Sequence, residues 1–156
     1  MHSLLRRLTT LEPGEVPVLS VYLDLRPRAS ATGHAASRAA RPGLRFLKER
    51  LRTLEHTLAA RGPALDSLRH DIWRIQRYIA RDMRPSTQGV AIFGCAARGL
   101  FEIVDVDRPF ANHVALGPTP DLAQLVQLER DDGHEDKRKD EREDERELAG
   151  AARLAP

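Results

Sequence analysis

Apolar side chains form four strand-like runs in the sequence, and the first run is the most continuous. Residues 16–25 read VPVLSVYLDL, in which β-branched and aromatic residues are mixed with leucine. Valine and tyrosine favour strands, and an almost unbroken apolar run is typical of a strand covered on both faces. This stretch therefore predicts a strand buried inside a sheet.

The other three runs follow later in the chain. GVAIFGCA at 89–96 and GLFEIVDV at 99–106 are separated by Ala97 and Arg98, and Gly99 can supply a positive φ. These two runs predict an antiparallel hairpin. NHVALG at 112–117 predicts a shorter strand. Together the runs predict a small mixed or antiparallel sheet of about four strands.

Two apolar stripes with helical spacing lie between the first run and the second. The first stripe consists of Leu44, Leu47, Leu51, Leu54 and Leu58, and the second of Leu65, Leu68, Ile72, Ile75 and Ile79. Spacings of three and four residues predict two amphipathic helices. The short break Arg61-Gly62-Pro63 predicts that they form an antiparallel helical hairpin. We expect Trp73 and Tyr78 to bury part of their rings against the sheet.

A further helix is predicted from Leu122, after the stop signal Pro118-Thr119-Pro120-Asp121. The fold class is therefore α+β, with a helical hairpin and a C-terminal helix. We expect residues 1–128 to form one domain. Residues 129–156 are a charged low-complexity tail with few apolar side chains to offset the entropy of ordering, which predicts a disordered segment or an isolated helix.

The net charge of +2 conceals an asymmetry between the two parts. From Glu129 onward seven basic residues stand against eleven acidic ones, so the tail has a net charge of −4 and residues 1–128 have +6. A basic domain indicates a polyanionic partner such as RNA. An arginine-rich composition is equally typical of a GC-rich genome.

Basic residues at one-turn spacing form two predicted rows on the helical hairpin. The first row is Arg41, Arg45, Lys48 and Arg52, and the second is Arg74, Arg77 and Arg81. Such rows can follow a phosphate backbone, which predicts a nucleic-acid-binding surface. The alternative is a solvated helix face whose salt partners are Glu49, Glu55, Asp71 and Asp82. Loop arginines could add a basic arm or belong to a linker; they are Arg26, Arg28, Arg38 and Arg41.

No motif predicts a catalytic residue, a metal site or a cofactor. Asp24 ends a strand, where an aspartate commonly bonds to the following loop. Ser20 lacks the Gly-x-Ser-x-Gly elbow of a hydrolase nucleophile. The six histidines are scattered, and Cys95 is the single cysteine, which predicts a reduced thiol in the core.

Three segments carry a family resemblance: VLSVYLDLRP, GVAIFGCAARGLFEIVDV and RPFANHVALGPTPDLAQLV, with the helical pair between the first two. Their order resembles the N-terminal domain of bacterial relatives of archaeo-eukaryotic class 1 peptide chain release factors, over roughly residues 10–128. The resemblance implies a sheet carrying helices and a place at the ribosome. The Gly-Gly-Gln loop and the codon-reading loop of that family do not occur in the sequence, so it does not imply peptidyl-tRNA hydrolysis or stop-codon recognition.

We therefore expect a non-enzymatic, translation-associated module that contacts ribosomal or transfer RNA. No segment is apolar enough to span a membrane or to serve as a signal peptide, so we expect a cytoplasmic protein without a membrane partner. The alternative is a protein-interaction or regulatory domain that self-associates through the helical hairpin. The change in composition after Glu129 leaves two interpretations: a stand-alone domain with an acidic tail, or a truncated or frame-shifted relative.

Overall fold

A four-stranded antiparallel sheet forms the centre of the protein. The computed structural model describes residues 1–28, 41–58 and 62–153. Its strands are β1 (Val18–Asp24), β2 (Gly89–Cys95), β3 (Leu100–Val106) and β4 (His113–Gly117), in the order β3-β2-β1-β4. Every pairing is antiparallel. The predicted α+β class is confirmed, and the sheet takes the antiparallel form of the two that the sequence allowed.

Four α-helices accompany the sheet within the described ranges. They are α1 (His2–Thr9), α2 (Pro42–Thr57), α3 (Pro63–Arg77) and α4 (Ala123–Arg153), and α3 continues into a π-helical turn at Tyr78–Asp82. Glu55, near the end of α2, forms an ion pair of 3.8 Å with Arg69, near the start of α3. The two helices therefore lie antiparallel, as predicted for the hairpin. The sequence analysis did not predict α1.

The alternating side chains of β1 point into two separate cores. Leu19, Val21 and Leu23 are fully buried among apolar residues of α2 and α3. Tyr22 is fully buried on the other face, among residues of α1 and α4. Because a strand directs successive side chains to opposite faces, an apolar run without a polar face corresponds to a sheet covered by helices on both sides. The position predicted for this strand is confirmed.

Polar contacts fix β1 to the segment that precedes α4. The Tyr22 hydroxyl donates to the carbonyl oxygen of Asp121 at 2.5 Å, and its burial raises the pKa of the phenol. The Ser20 hydroxyl accepts from the backbone N–H of Asp121 at 2.9 Å. The Tyr22 ring also meets the rings of Phe93 and Phe110 edge-on, with centroids 5.8 and 5.2 Å away. Ser20 and Tyr22 thus act as structural anchors of the C-terminal helix.

The turn between β2 and β3 is a short 3₁₀ helix, Ala96–Arg98, followed by Gly99. Gly99 has φ of 67°, the left-handed conformation that the sequence predicted for it. Cys95, the last residue of β2, is fully buried, as expected for a core thiol.

Helix α4 runs through the charged segment without interruption. Its first turns bury Leu125 and Leu128. Glu129 contacts His2 at 3.0 Å and Asp132 forms an ion pair with Arg108, whereas the residues after Asp132 are exposed. The division into a domain and a tail at residue 129 stays a prediction. None of the described helices is both long enough and apolar enough to cross a membrane.

Candidate nucleic-acid interface

Three of the four cations predicted for the first row lie exposed on α2. They are Arg45, Lys48 and Arg52, which are three and four residues apart and so share one face. Arg45 forms an ion pair with Glu49 at 3.5 Å, but both side chains are largely in solvent, where such a pair contributes little. Lys48 and Arg52 form no ion pair with any residue that the structure describes. Both charges are therefore available to a ligand.

Arg41 occupies a different environment from the one expected for an exposed row. It directly precedes α2, and only 6% of its surface is exposed. Its guanidinium donates to the carbonyl oxygens of Pro85 at 2.6 Å and Thr87 at 3.1 Å. Arg41 thus joins the start of α2 to the loop before β2, and its side chain does not belong to the exposed surface.

The second predicted row lies on the outer face of α3, together with two aromatic side chains. We call the set His70, Trp73, Arg74, Arg77 and Arg81 the α3 ridge; its spacing of three or four residues places the members on one helix face. Trp73 is 53% exposed, so the prediction that its ring is buried against the sheet is wrong. The same spacing rule explains the error, because Trp73 falls outside the stripe formed by Ile72, Ile75 and Ile79.

The cations of the α3 ridge are positioned by aromatic rings. The Arg77 guanidinium lies over the Trp73 ring, 5.4 Å from its centroid, and Arg74 lies over the Phe101 ring at 5.2 Å. His70 approaches Trp73 from the preceding turn, with ring centroids 5.9 Å apart. Cation–π contacts hold guanidinium groups in place without neutralising their charge. The ridge therefore presents ordered positive charge beside an exposed indole.

The acidic residues considered as salt partners do not neutralise the ridge. Glu49 pairs with Arg45, and Glu55 pairs with Arg69. Asp71 is buried with 1% of its surface exposed, and Asp82 forms no ion pair with a described residue.

Asp71 belongs to a buried polar cluster under the turn between β2 and β3. Its carboxylate accepts a hydrogen bond from the backbone N–H of Ala96, while its Oδ1 atom has no hydrogen-bond partner among the described residues. The Ser67 hydroxyl, one helical turn earlier, accepts from the N–H of Ala97 at 3.1 Å. Burial raises the pKa of Asp71 to about 6. Gly94 makes room for it, since a Cβ there would lie 3.0 Å from the Asp71 Cγ.

An open groove of about 360 Å³ runs between α2 and α3. Its apolar lining is Leu44, Leu47, Leu51, Ile72, Ile75 and Ile79. Lys48, Arg52 and Glu55 lie on its α2 side and Gln76 on its α3 side. The apolar stripes of the two helices are thus not completely covered by packing against each other and the sheet.

The loop after β1 contains a local ion pair. Asp24 accepts from the backbone N–H of Arg26 at 3.0 Å and from its guanidinium at 2.7 Å, and this contact lowers the pKa of the Asp24 carboxyl. Asp24 therefore bonds to the following loop, as expected for a strand-ending aspartate. Arg28 is exposed, and Arg38 lies outside the described residues. Within the described parts of the chain no three His, Cys, Asp or Glu side chains cluster as metal ligands.

No protein-family model matches the chain, and a search of curated proteins finds no similar sequence. The resemblance to the release-factor relatives stays a prediction from the sequence.

Proposed function

We propose that this chain is a non-enzymatic, translation-associated module that contacts ribosomal or transfer RNA through the cations of α2 and α3. The observation that carries the proposal is the exposure of Lys48, Arg52, Arg77 and Arg81 without an ion pair to any described residue. A cation without an intramolecular partner keeps its full attraction for phosphate. The family resemblance adds the ribosomal context.

The geometry of the hairpin suits a nucleic-acid backbone. Cations one helical turn apart lie about 5–6 Å from each other, close to the spacing of successive phosphates. Neutralising phosphates releases condensed counterions, so such binding weakens steeply as salt increases. The arginines of the α3 ridge are already oriented by Trp73 and Phe101, which reduces the entropy lost when they bind.

Reversing the charge of the ridge is expected to weaken RNA binding by at least about tenfold and to flatten its salt dependence by about two to three contacts. The variant carries Arg74→Glu, Arg77→Glu and Arg81→Glu. Affinity for transfer RNA and ribosomal subunits is measured by fluorescence anisotropy and co-sedimentation at several salt concentrations.

The matched control carries Lys137→Glu, Arg138→Glu and Lys139→Glu in the exposed part of α4. It changes the net charge by the same amount at a distant place, so we expect it to bind RNA nearly as the wild type does. Binding that is insensitive to salt and equal in both variants would contradict the proposal.

A second candidate function, self-association through the helical hairpin, is favoured by the groove between α2 and α3. We propose the exposed part of α4 from a second copy as its occupant. This part of the helix is acidic and carries Leu148, which is 71% exposed, whereas the groove is apolar with Lys48 and Arg52 beside it. The chain's own α4 packs on the opposite face of the sheet.

Light scattering coupled to size exclusion tests this second candidate. A dimer is expected for the wild type, and Leu148→Glu is expected to raise its dissociation constant by at least about tenfold, because a charge would enter the apolar groove. Ala149→Glu adds the same charge on an adjacent face of the helix and serves as control. A wild-type monomer at all concentrations would contradict self-association.

A further inference from the structure

Resting on the proposed function, we infer that the α3 ridge takes unpaired nucleotides rather than duplex RNA, with one base stacked on the indole of Trp73. Trp73 is a large aromatic side chain with 53% of its surface in solvent, and it lies between exposed cations on the same helix face. An exposed indole next to phosphate-binding groups is the arrangement by which proteins bind single strands.

The contacts around Trp73 favour this use of its ring. Arg77, four residues later, lies over the ring at 5.4 Å from the centroid, and His70, three residues earlier, approaches at 5.9 Å. These neighbours restrict the indole to a defined orientation. A base stacked on the ring would also place its own phosphate within reach of the Arg77 and Arg81 side chains, which follow along the same face.

The requirement for an unpaired base follows from the geometry of RNA. In an A-form duplex the faces of the bases are covered by their neighbours, and a protein reaches mainly phosphates and 2′-hydroxyls. Only loops, bulges and ends expose a base face to an aromatic ring. A cationic surface without a function for Trp73 would bind duplex and single strand alike.

The chain contains one tryptophan, so its fluorescence reports this site directly. We expect an unstructured RNA of roughly ten nucleotides to quench the emission of Trp73 on binding, because a stacked base contacts the indole. A blunt duplex of the same length is expected to leave the emission nearly unchanged. The titrations use the whole chain at low salt.

Variants at position 73 then separate stacking from charge. Trp73→Leu is expected to lower the affinity for the labelled single strand about tenfold, the effect typical of one stacked base. Affinity for the duplex should not change, and Trp73→Phe should recover most of the single-strand affinity. Since the side chain is exposed, both variants are expected to fold normally.

Three outcomes would overturn the inference, and they differ in what they say of the proposed function. Binding of both RNAs without quenching, and unaffected by Trp73→Leu, would remove the base platform and leave the RNA-binding role intact. Loss of a stable oligomer in Trp73→Leu would assign Trp73 to a protein contact instead. Absence of any RNA binding at low salt would remove both the inference and the proposed function.

Discussion

Replacing Gly43 by alanine is expected to destabilise the fold by about 3 kcal/mol, although a glycine-to-alanine exchange inside an exposed helix normally stabilises it by about 1 kcal/mol. Gly43 is the second residue of α2 and is buried. A Cβ at this position would lie 2.0 Å from the carbonyl oxygen of Asp24 and 3.3 Å from Oδ1 of Asn112. A backbone carbonyl cannot rotate away as a side chain can, so α2 would have to move from the end of β1.

The free energy of unfolding from urea denaturation measures this effect. Gly133→Ala is the matched control, because Gly133 lies in α4 and no atom would be within 4 Å of the added Cβ. It is expected to cause no loss of stability. A Gly43→Ala variant as stable as the wild type would show that α2 does not approach β1 as closely as described.

The apolar spacing predicted most of the fold because it reports burial directly. The stripe from Leu44 to Leu58 defined the inner face of α2, and the nearly unbroken run at 16–25 indicated a strand with helices on both sides. The hairpin turn at Gly99 was predictable for a local reason, since a residue with positive φ is needed there. All these features depend on residues close to one another in sequence.

The features that were not predicted depend on distant residues. Helix α1 has only eight residues, too few for a stable isolated helix. It is stabilised because Leu5 and Leu8 pack against Leu125 and Leu128, which the sequence pattern of its own segment does not show. The antiparallel pairing of β1 with both β2 and β4 is likewise a long-range property.

The candidate site shows the same limit. Spacing correctly placed Lys48 and Arg77 on exposed helix faces. It could not show that the carbonyl groups of Pro85 and Thr87 bind the guanidinium of Arg41. Nor could it show that Asp71, considered as a surface salt partner, is buried in the space that Gly94 leaves.

The buried position of Asp71 leads to the second large expected effect: Asp71→Asn should stabilise the protein at pH 7 relative to pH 4 by about 3 kcal/mol compared with the wild type. Burial raises the pKa of Asp71 from an ordinary value of 3.8 to about 6. The folded state therefore binds the proton more tightly than the unfolded state. The contribution of Asp71 to stability is greatest below pH 4, falls as the pH rises from about 4 to about 6, and is constant above that.

Asparagine keeps the carboxyl shape and an oxygen that can accept from the N–H of Ala96, but it removes the charge that burial destabilises. Arg74 lies on the same helix and stabilises the carboxylate, yet its effect is smaller than that of burial. Free energies of unfolding at pH 4, 5, 6 and 7 give the difference between variant and wild type, in which the other titrating groups, Asp24 among them, cancel.

Asp66→Asn provides the control, because Asp66 is exposed in the first turn of the same helix. Its stability should follow the pH profile of the wild type. If the difference between Asp71→Asn and the wild type stays constant from pH 4 to pH 7, Asp71 does not change its proton affinity on folding. The turn at Ala96–Arg98 would then be bonded to a carboxylate that remains hydrated, contrary to the buried position described above.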